Sequence, residues 1–331
     1  MKLHLTWPMS VAAAALVLAG CSSSDSGSTE ESSGSSPASE TSTSAAAAAS
    51  PALEKAAADY KAYALAQSDE LVKVVKVFTD AVRAGNLKAA QDAFAPSRQP
   101  WERIEPIAGL VEDTDAKTDS RVDDFANVDD PAFTGWHRLE YLLFEKNTTE
   151  GGAPFADQLD ADIANLQKQL PSVEVKPIDV ANGAAELIEE VSQGKLTGEE
   201  DRYSKTDLWD FDANLQGSQV AIDKLSEPLK DADAALLGKI SAGFSQIFDT
   251  MRPLRQGDGW VNFCPENSEF PSPRCPSVTV QPPVVDALKA QLAGRSRQAE
   301  PGTGESRSRA AWQDRCRNHP GLRDHAAAAP G

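Results

Sequence analysis

An all-α protein of long antiparallel helices joined by short loops is the fold class this sequence predicts, and three observations predict it. Apolar residues recur at three- and four-residue spacing through most of the chain from residue 51 to residue 293, the period of one helix face. Alternating strand patterns are confined to brief candidates at Val173 to Val175 and Val278 to Val280. The composition, 40% hydrophobic and 25% charged over 331 residues, is that of an ordinary globular chain. It excludes a collagenous, wholly disordered or multi-spanning membrane protein.

Taken in order, residues 1–20 have the layout of a secretory signal: an early Lys2, a short apolar run from Val11 to Gly20, and then Cys21. About ten apolar residues are too few to span roughly 30 Å of hydrocarbon. Leu18-Ala19-Gly20-Cys21 resembles a lipobox, in which the Cys is lipidated and becomes the new amino terminus. The alternative, a buried Cys after an ordinary signal, lacks apolar neighbours to bury it. Residues 22–50 contain 13 Ser, three Thr and no aromatic residue, too little apolar surface to offset chain entropy. Residues 21–50 therefore read as a lipidated Cys and a flexible Ser/Ala-rich tether, with a root-mean-square span of roughly 30 Å on Gly/Ser-linker scaling. The expected location is extracytoplasmic, anchored to the cell membrane by lipid, in a periplasm or on the outer face of the cytoplasmic membrane.

The helices begin at Pro51, where Leu53, Ala56, Ala57, Tyr60 and Tyr63, then Leu71, Val74, Val75, Phe78 and Val82, keep the helical period until Gly85-Asn86. A second run, Leu87 to Phe94, is expected to end at Ala95-Pro96, with Ser97 capping a third helix that carries Trp101, Ile104, Ile107 and Leu110. Further helices are expected at about 132–145, 153–170, 178–193, 207–226, 231–250 and 283–293. Cys264 and Cys275 bracket a Pro-rich stretch with no His nearby, so in an oxidising compartment they favour a loop-closing disulfide over a metal site. Residues 295–331 hold seven Arg, no Lys and, beyond Ala, only Leu322 among aliphatics. They read as a disordered end, with a basic interaction tail as the alternative.

Fifty acids against 32 Lys and Arg give a formal charge of −18, which disfavours nucleic acid and favours cationic partners. The tail is +3, so residues 1–294 carry −21. Within that field the four His stand at 4, 137, 319 and 325, leaving His137 alone in the helical region. On a helix His137 and Glu140 share a face, so imidazole and carboxylate can converge on one ion; a satisfied surface or core His has the same spacing. Glu102 and Glu105 repeat the offset. Asp113, Asp115, Asp119, Asp123 and Asp124 crowd the connection before His137, and Glu199, Glu200 and Asp201 precede a helix start near Asp207. Many of these acids fit solvated helix faces or first turns equally well. One imidazole with several carboxylates is a hard, oxygen-rich donor set suited to iron, manganese or calcium.

Three separated blocks, WERIEPI with DAKTDSRVDDF, GWHRLEYLLFE, and KLTGEEDRYSKTDLWDFDANLQG, resemble the imelysin-like family in its EfeO/EfeM-type iron-uptake branch, over roughly residues 52–294. The resemblance implies two packed antiparallel four-helix bundles with a metal cleft between them. It implies metal ligands at His137 and Glu140, at Glu102, Glu105 and Asp119, and at Glu199 or Glu200. The cargo would be an iron ion, Fe2+ or Fe3+, with other hard divalent cations possible in the same donor set. The partners would be a membrane iron permease of the Efe type and a heme-peroxidase-like Efe component. Two departures stand out: Lys205 replaces the His common in relatives' YSHTDL, and the 29-residue tether has no space for the cupredoxin domain some members carry.

The name imelysin also implies peptidase activity. A zinc hydrolase of the HExxH type needs two His at i, i+4, and the helical region has one. No nucleophile motif accompanies His137. A metal-independent polysaccharide- or partner-binding module, lined by Trp101, Trp136, Trp209 and Trp260, is a third reading, against the common role of such residues as core. The favoured reading is a non-enzymatic iron carrier.

Overall fold

The computed structural model describes residues 50–299 except 194 and 267, and gives the backbone alone for 193 and 293–299. The signal at 1–20, Cys21, the tether up to residue 49 and the tail from residue 300 lie outside the described residues. Among those described, the chain forms nine α-helices and one two-stranded antiparallel hairpin, so the all-α expectation holds. No described helix is long and apolar enough to cross a membrane.

Helix α1 (Pro51–Arg83) starts on Ser50, whose hydroxyl accepts from the Leu53 amide at 3.3 Å, with Pro51 at the first helical position where its missing N–H costs nothing. It ends at Gly85, whose φ of +70° turns the chain, and Asn86 caps α2 (Leu87–Ile104) by accepting from Ala89 at 3.2 Å. The expected break at Ala95-Pro96 does not occur. α2 runs through Pro96 and Pro100, and Ser97 donates back to the Phe94 carbonyl at 2.6 Å instead of capping a new helix. An interior Pro costs about 3 kcal/mol. Phe94, Ala95, Arg98 and Trp101 are all buried around it, and that packing outweighs the local preference.

A 3-10 turn (Glu105–Leu110) leads to α3 (Glu112–Thr118) and then to α4 (Gly135–Glu140), which widens into a π turn over Tyr141–Glu145. Helices α5 (Ala153–Gln169), α6 (Pro177–Gln193) and α7 (Asp207–Lys224) follow close to expectation. α8 (Ser226–Met251) is kinked at Asp233, whose carboxylate caps the longer piece through the Leu236 amide at 2.9 Å. The hairpin β1 (Arg255–Gln256) and β2 (Gly259–Trp260) was not anticipated, although Gln256-Gly257-Asp258-Gly259 is turn-rich. Of the two expected strands, 173–175 is not one and 278–280 contributes a single bridge, Val280 to Pro265. Cys264 and Cys275 are joined in a disulfide. Helix α9 (Pro282–Ala299) continues past Gly294, further than its apolar pattern reaches.

Two hydrophobic cores organise the helices. The first joins α1, α2, α4 and α5 through residues such as Tyr60, Phe78, Phe94, Leu139 and Leu159. Phe94 meets Phe78 and Phe144 edge-on at 5.8 and 5.5 Å between centroids. The second joins α6 to α9 through Val191, Phe211, Ile247, Met251 and Leu288. α6 and α7 contribute to both cores, so α7 is buried on nearly every side, including Asp207, Asp210, Asp212, Asn214 and Ser218.

Candidate metal centre

Six segments deliver charged and polar side chains to one place. α2 supplies Arg98 and Glu102 a turn apart, and Glu105 follows on the 3-10 turn. Asp119 closes α3, α4 carries His137 and Glu140, the segment before α7 carries Lys195 and Glu199 to Asp201, and α7 adds Asp210 and Asn214. Two glycines permit the approach. A Cβ on Gly135, which has a φ of +75°, would collide with the Thr118 carbonyl, and one on Gly217 would collide with the Arg103 carbonyl. Gly135 thus lets the helix bearing His137 start directly against the residue preceding Asp119.

His137 is buried and held by both nitrogens. Nδ1 lies 3.1 Å from Glu140 Oε2, while Glu140 Oε1 accepts from the Tyr203 and Ser204 amides at 2.9 and 2.8 Å. Nε2 faces the other way, 3.5 Å from Asp119 Oδ1 and 3.8 Å from Glu200 Oε1. Asp119 is fixed in turn by the Trp101 indole N–H, which donates to Oδ2 at 2.8 Å. Each of Asp119, His137 and Glu200 offers a donor atom within 4.8 Å of the other two. Atoms so spaced can all reach a single hard ion at about 2.0 to 2.6 Å. Two other triads meet the same criterion, His137 with Glu140 and Asp201, and Glu102 with Glu200 and Asp210.

Two buried cations sit among these acids. The Arg98 guanidinium donates from Nε to Asp210 Oδ2 at 2.9 Å, from Nη1 to Asp119 Oδ1, and from Nη2 to Glu102 Oε1 at 2.5 Å and Glu200 Oε1 at 3.0 Å. Lys195 Nζ donates to Glu102 Oε2 at 3.0 Å and to both Glu105 oxygens at 3.2 and 3.0 Å. Arg121 closes the outer side against Glu200 Oε2. The acids still outnumber the cations, and Oδ1 of Asp201 and of Asp210 has no hydrogen-bond partner among the described residues. A proton on the carboxyl or an additional cation accommodates such an oxygen.

Burial opposes every charge in the cluster, and the neighbours decide which acids remain ionised. Burial raises Asp119, but Arg98 and His137 outweigh it and hold the carboxyl well below its usual range. Burial likewise opposes the Glu200 charge, yet Lys195, Arg121 and Arg98 bring its pKa down to about 2. Asp201, Asp210 and Glu105 go the other way, pushed up by burial despite nearby cations. Burial and Arg98 lower His137, while Asp119 and Glu140 raise it and prevail, taking it to about 9. Each of the other two triads contains an acid that burial pushes up, Asp201 or Asp210, which singles out Asp119, His137 and Glu200 among the three.

The remaining sequence candidates fall around this set. Glu140 lies against the far side of the imidazole, Glu102 joins the Arg98 and Lys195 networks, and Glu105 meets Lys195 and the Asn214 amide. Glu199 is 31% exposed and 3.8 Å from Arg121, at the rim. Lys205 is buried with its Nζ 3.4 Å from the Gly198 carbonyl, outside every triad. Sequence reasoning missed Arg98, Lys195, Asp210 and Asn214. The only advance signal was the four-residue offset between Arg98 and Glu102. The aromatic cleft is corrected: Trp101 and Trp136 are fully buried core, with 6.5 Å between ring centroids, and Trp209 and Trp260 pack into the second core.

The Imelysin (peptidase M75) family model matches residues 56–292. The chain is 47% identical over 213 residues to an iron uptake system component EfeO from Escherichia coli, covering 64% of this chain and 57% of the relative. It is 46% identical to EfeO from Shigella flexneri over the same length and shares. The chain therefore spans somewhat over half the length of these curated relatives. With the family model matched from the first turns of α1 to the last described core residue of α9, the chain belongs to the imelysin family.

Proposed function

We propose that this chain is the extracytoplasmic, lipid-anchored iron-binding component of an Efe-type iron-uptake system, which captures an iron ion and passes it to a membrane permease. The observation that carries the reading is the convergence of Asp119, His137 and Glu200 on one point, with both acids held as carboxylates. The relatives' name, iron uptake system component, supports iron as the cargo. In this reading His137 gives its Nδ1–H to Glu140 and turns Nε2 toward the ion. Glu140 orients the ring, held by two backbone amides, and Trp101 orients Asp119. The negative field of residues 1–294 raises the local concentration of cations, an effect that weakens as salt is added. Cys21 carries the lipid, the Ser/Ala-rich segment is the tether, and a heme-peroxidase-like Efe component works on the same cargo.

Binding is favoured over peptide hydrolysis by a specific feature of the residues. His137, the only His among the described residues, already has its two nitrogens committed to Glu140 and to the Asp119 and Glu200 side. Titration of Fe2+ into metal-free protein under argon tests the proposal. Saturable binding that His137→Ala weakens by about 100-fold is expected, at or beyond the upper range seen for orienting partners. Unchanged affinity in His137→Ala contradicts it, and cleavage of a peptide pool by the wild type revives the peptidase reading.

A further inference from the structure

The donor atoms that face one another across the proposed site are already bonded or approached by the same side chain. Arg98 Nη1 donates to Asp119 Oδ1 and lies 3.4 Å from His137 Nε2, and Nη2 donates to Glu200 Oε1 at 3.0 Å. These are the atoms by which His137 faces the two acids. We infer that Arg98 is a resident counter-cation, occupying the site in the metal-free chain and displaced from Asp119 and Glu200 when an ion enters. The inference rests on the metal-binding reading and adds a competitor built into the site.

Two observations beyond the overlap support it. The guanidinium is tethered on its other side by Asp210 through Nε and by Glu102 through Nη2, neither of which belongs to the triad, so it can release two acids without losing all its partners. It also has acceptors to turn toward. Among the described residues Oδ1 of Asp210 and Oδ1 of Asp201 are buried without a hydrogen-bond partner, and Asp201 Oδ1 is 3.8 Å from Nε. A multivalent ion at His137 Nε2 would repel the guanidinium at this range, and the two unpaired oxygens offer it acceptors in place of those it gives up. The consequence suits a carrier. When the ion leaves, Arg98 returns, so release does not strand buried carboxylates without a cation. Iron is bound less tightly than the same donors would bind it without a competitor, which favours transfer.

The test compares wild type, Arg98→Gln and Arg98→Lys as full chains, by anaerobic Fe2+ titration and by thermal unfolding with and without Fe2+. Arg98→Gln should melt lower than wild type when metal-free, recover most of that loss when iron is added, and bind Fe2+ about tenfold more tightly. Arg98→Lys, which keeps the charge but not the planar fork, should fall between them. A purely structural Arg98 predicts the same loss of melting temperature with and without iron; that outcome, or affinity equal to or weaker than wild type, overturns the inference. If neither variant folds, wild-type crystals soaked in Fe2+ decide: the guanidinium should have moved from Asp119 and Glu200 toward Asp201 and Asp210, and an unmoved guanidinium overturns it. A wild type that takes up no iron overturns the metal-binding reading as well, whereas iron uptake that His137→Ala weakens and Arg98→Gln leaves unchanged overturns only the role of Arg98.

Discussion

Lys76–Asp80 on α1 and Arg98–Glu102 on α2 are the same feature in sequence, a cation and an acid four residues apart on a helix. In the fold they are opposites. The first pair meets at 2.7 Å with side chains 65% and 53% exposed; the second meets at 2.5 Å with both at 0%. An exposed pair gains little in water and is screened by salt. A buried one is part of a set in which each member depends on the others, because removing one leaves uncompensated charge in a low dielectric. Glu102 also accepts from Lys195 and from the Asn214 amide, each at hydrogen-bond distance. Spacing identifies who can touch, and burial determines what the contact is worth.

Matched substitutions break the comparison most sharply. Glu102→Ala leaves Arg98, Lys195 and Asn214 short of a partner and should cost about 3 to 5 kcal/mol, lowering the melting temperature by roughly 10 °C. Asp80→Ala should move it by about 1 °C or less, and equal effects would show that the cluster is not an interdependent network. Glu140→Gln should have an effect of a different kind. The Gln carbonyl can still accept from Tyr203 and Ser204, so melting should fall less than in Glu102→Ala, but the loss of carboxylate beside Nδ1 should weaken Fe2+ binding by about 10- to 100-fold. Unaltered affinity would mean that the imidazole does not need its partner.

An effect seen only in pH dependence concerns Asp207, at the start of α7, which burial pushes up to about 7. An unfolded Asp loses its proton near roughly 4, so between the two values the native state holds more protons than the unfolded state. Its contribution to stability is complete below about pH 4 and is lost as pH rises through 7. Asp207→Asn should therefore flatten part of the decline in melting temperature between pH 4 and 7, and a variant with the wild-type slope would assign that decline to other acids.

Much of the fold was legible because helix period survives local detail: α1, α5, α6 and α7 follow it closely. Pro96 misled because a Pro is a local signal, whereas the packing that carries α2 through it is not. The same distinction separates the readable part of the site from the rest. His137 and Glu140 are three residues apart on one helix and visible as a pair, and the family resemblance supplied Asp119 and Glu200. Arg98 pairs with Asp210 across 112 residues and Lys195 with Glu102 across 93, contacts that arise only when α2 packs against α7 and the segment before it. No periodicity encodes them. Glu199 and Glu200, adjacent and chemically alike, show the limit: one is at the rim and the other 2% exposed.

The most direct measurement is anomalous diffraction at the iron edge from crystals of this protein soaked in Fe2+. The proposed site predicts a peak at about 2.0 to 2.6 Å from Asp119 Oδ1, His137 Nε2 and Glu200 Oε1 together. A sole peak on exposed acids, or one bound by Glu102 and Asp210 with His137 uninvolved, would contradict it.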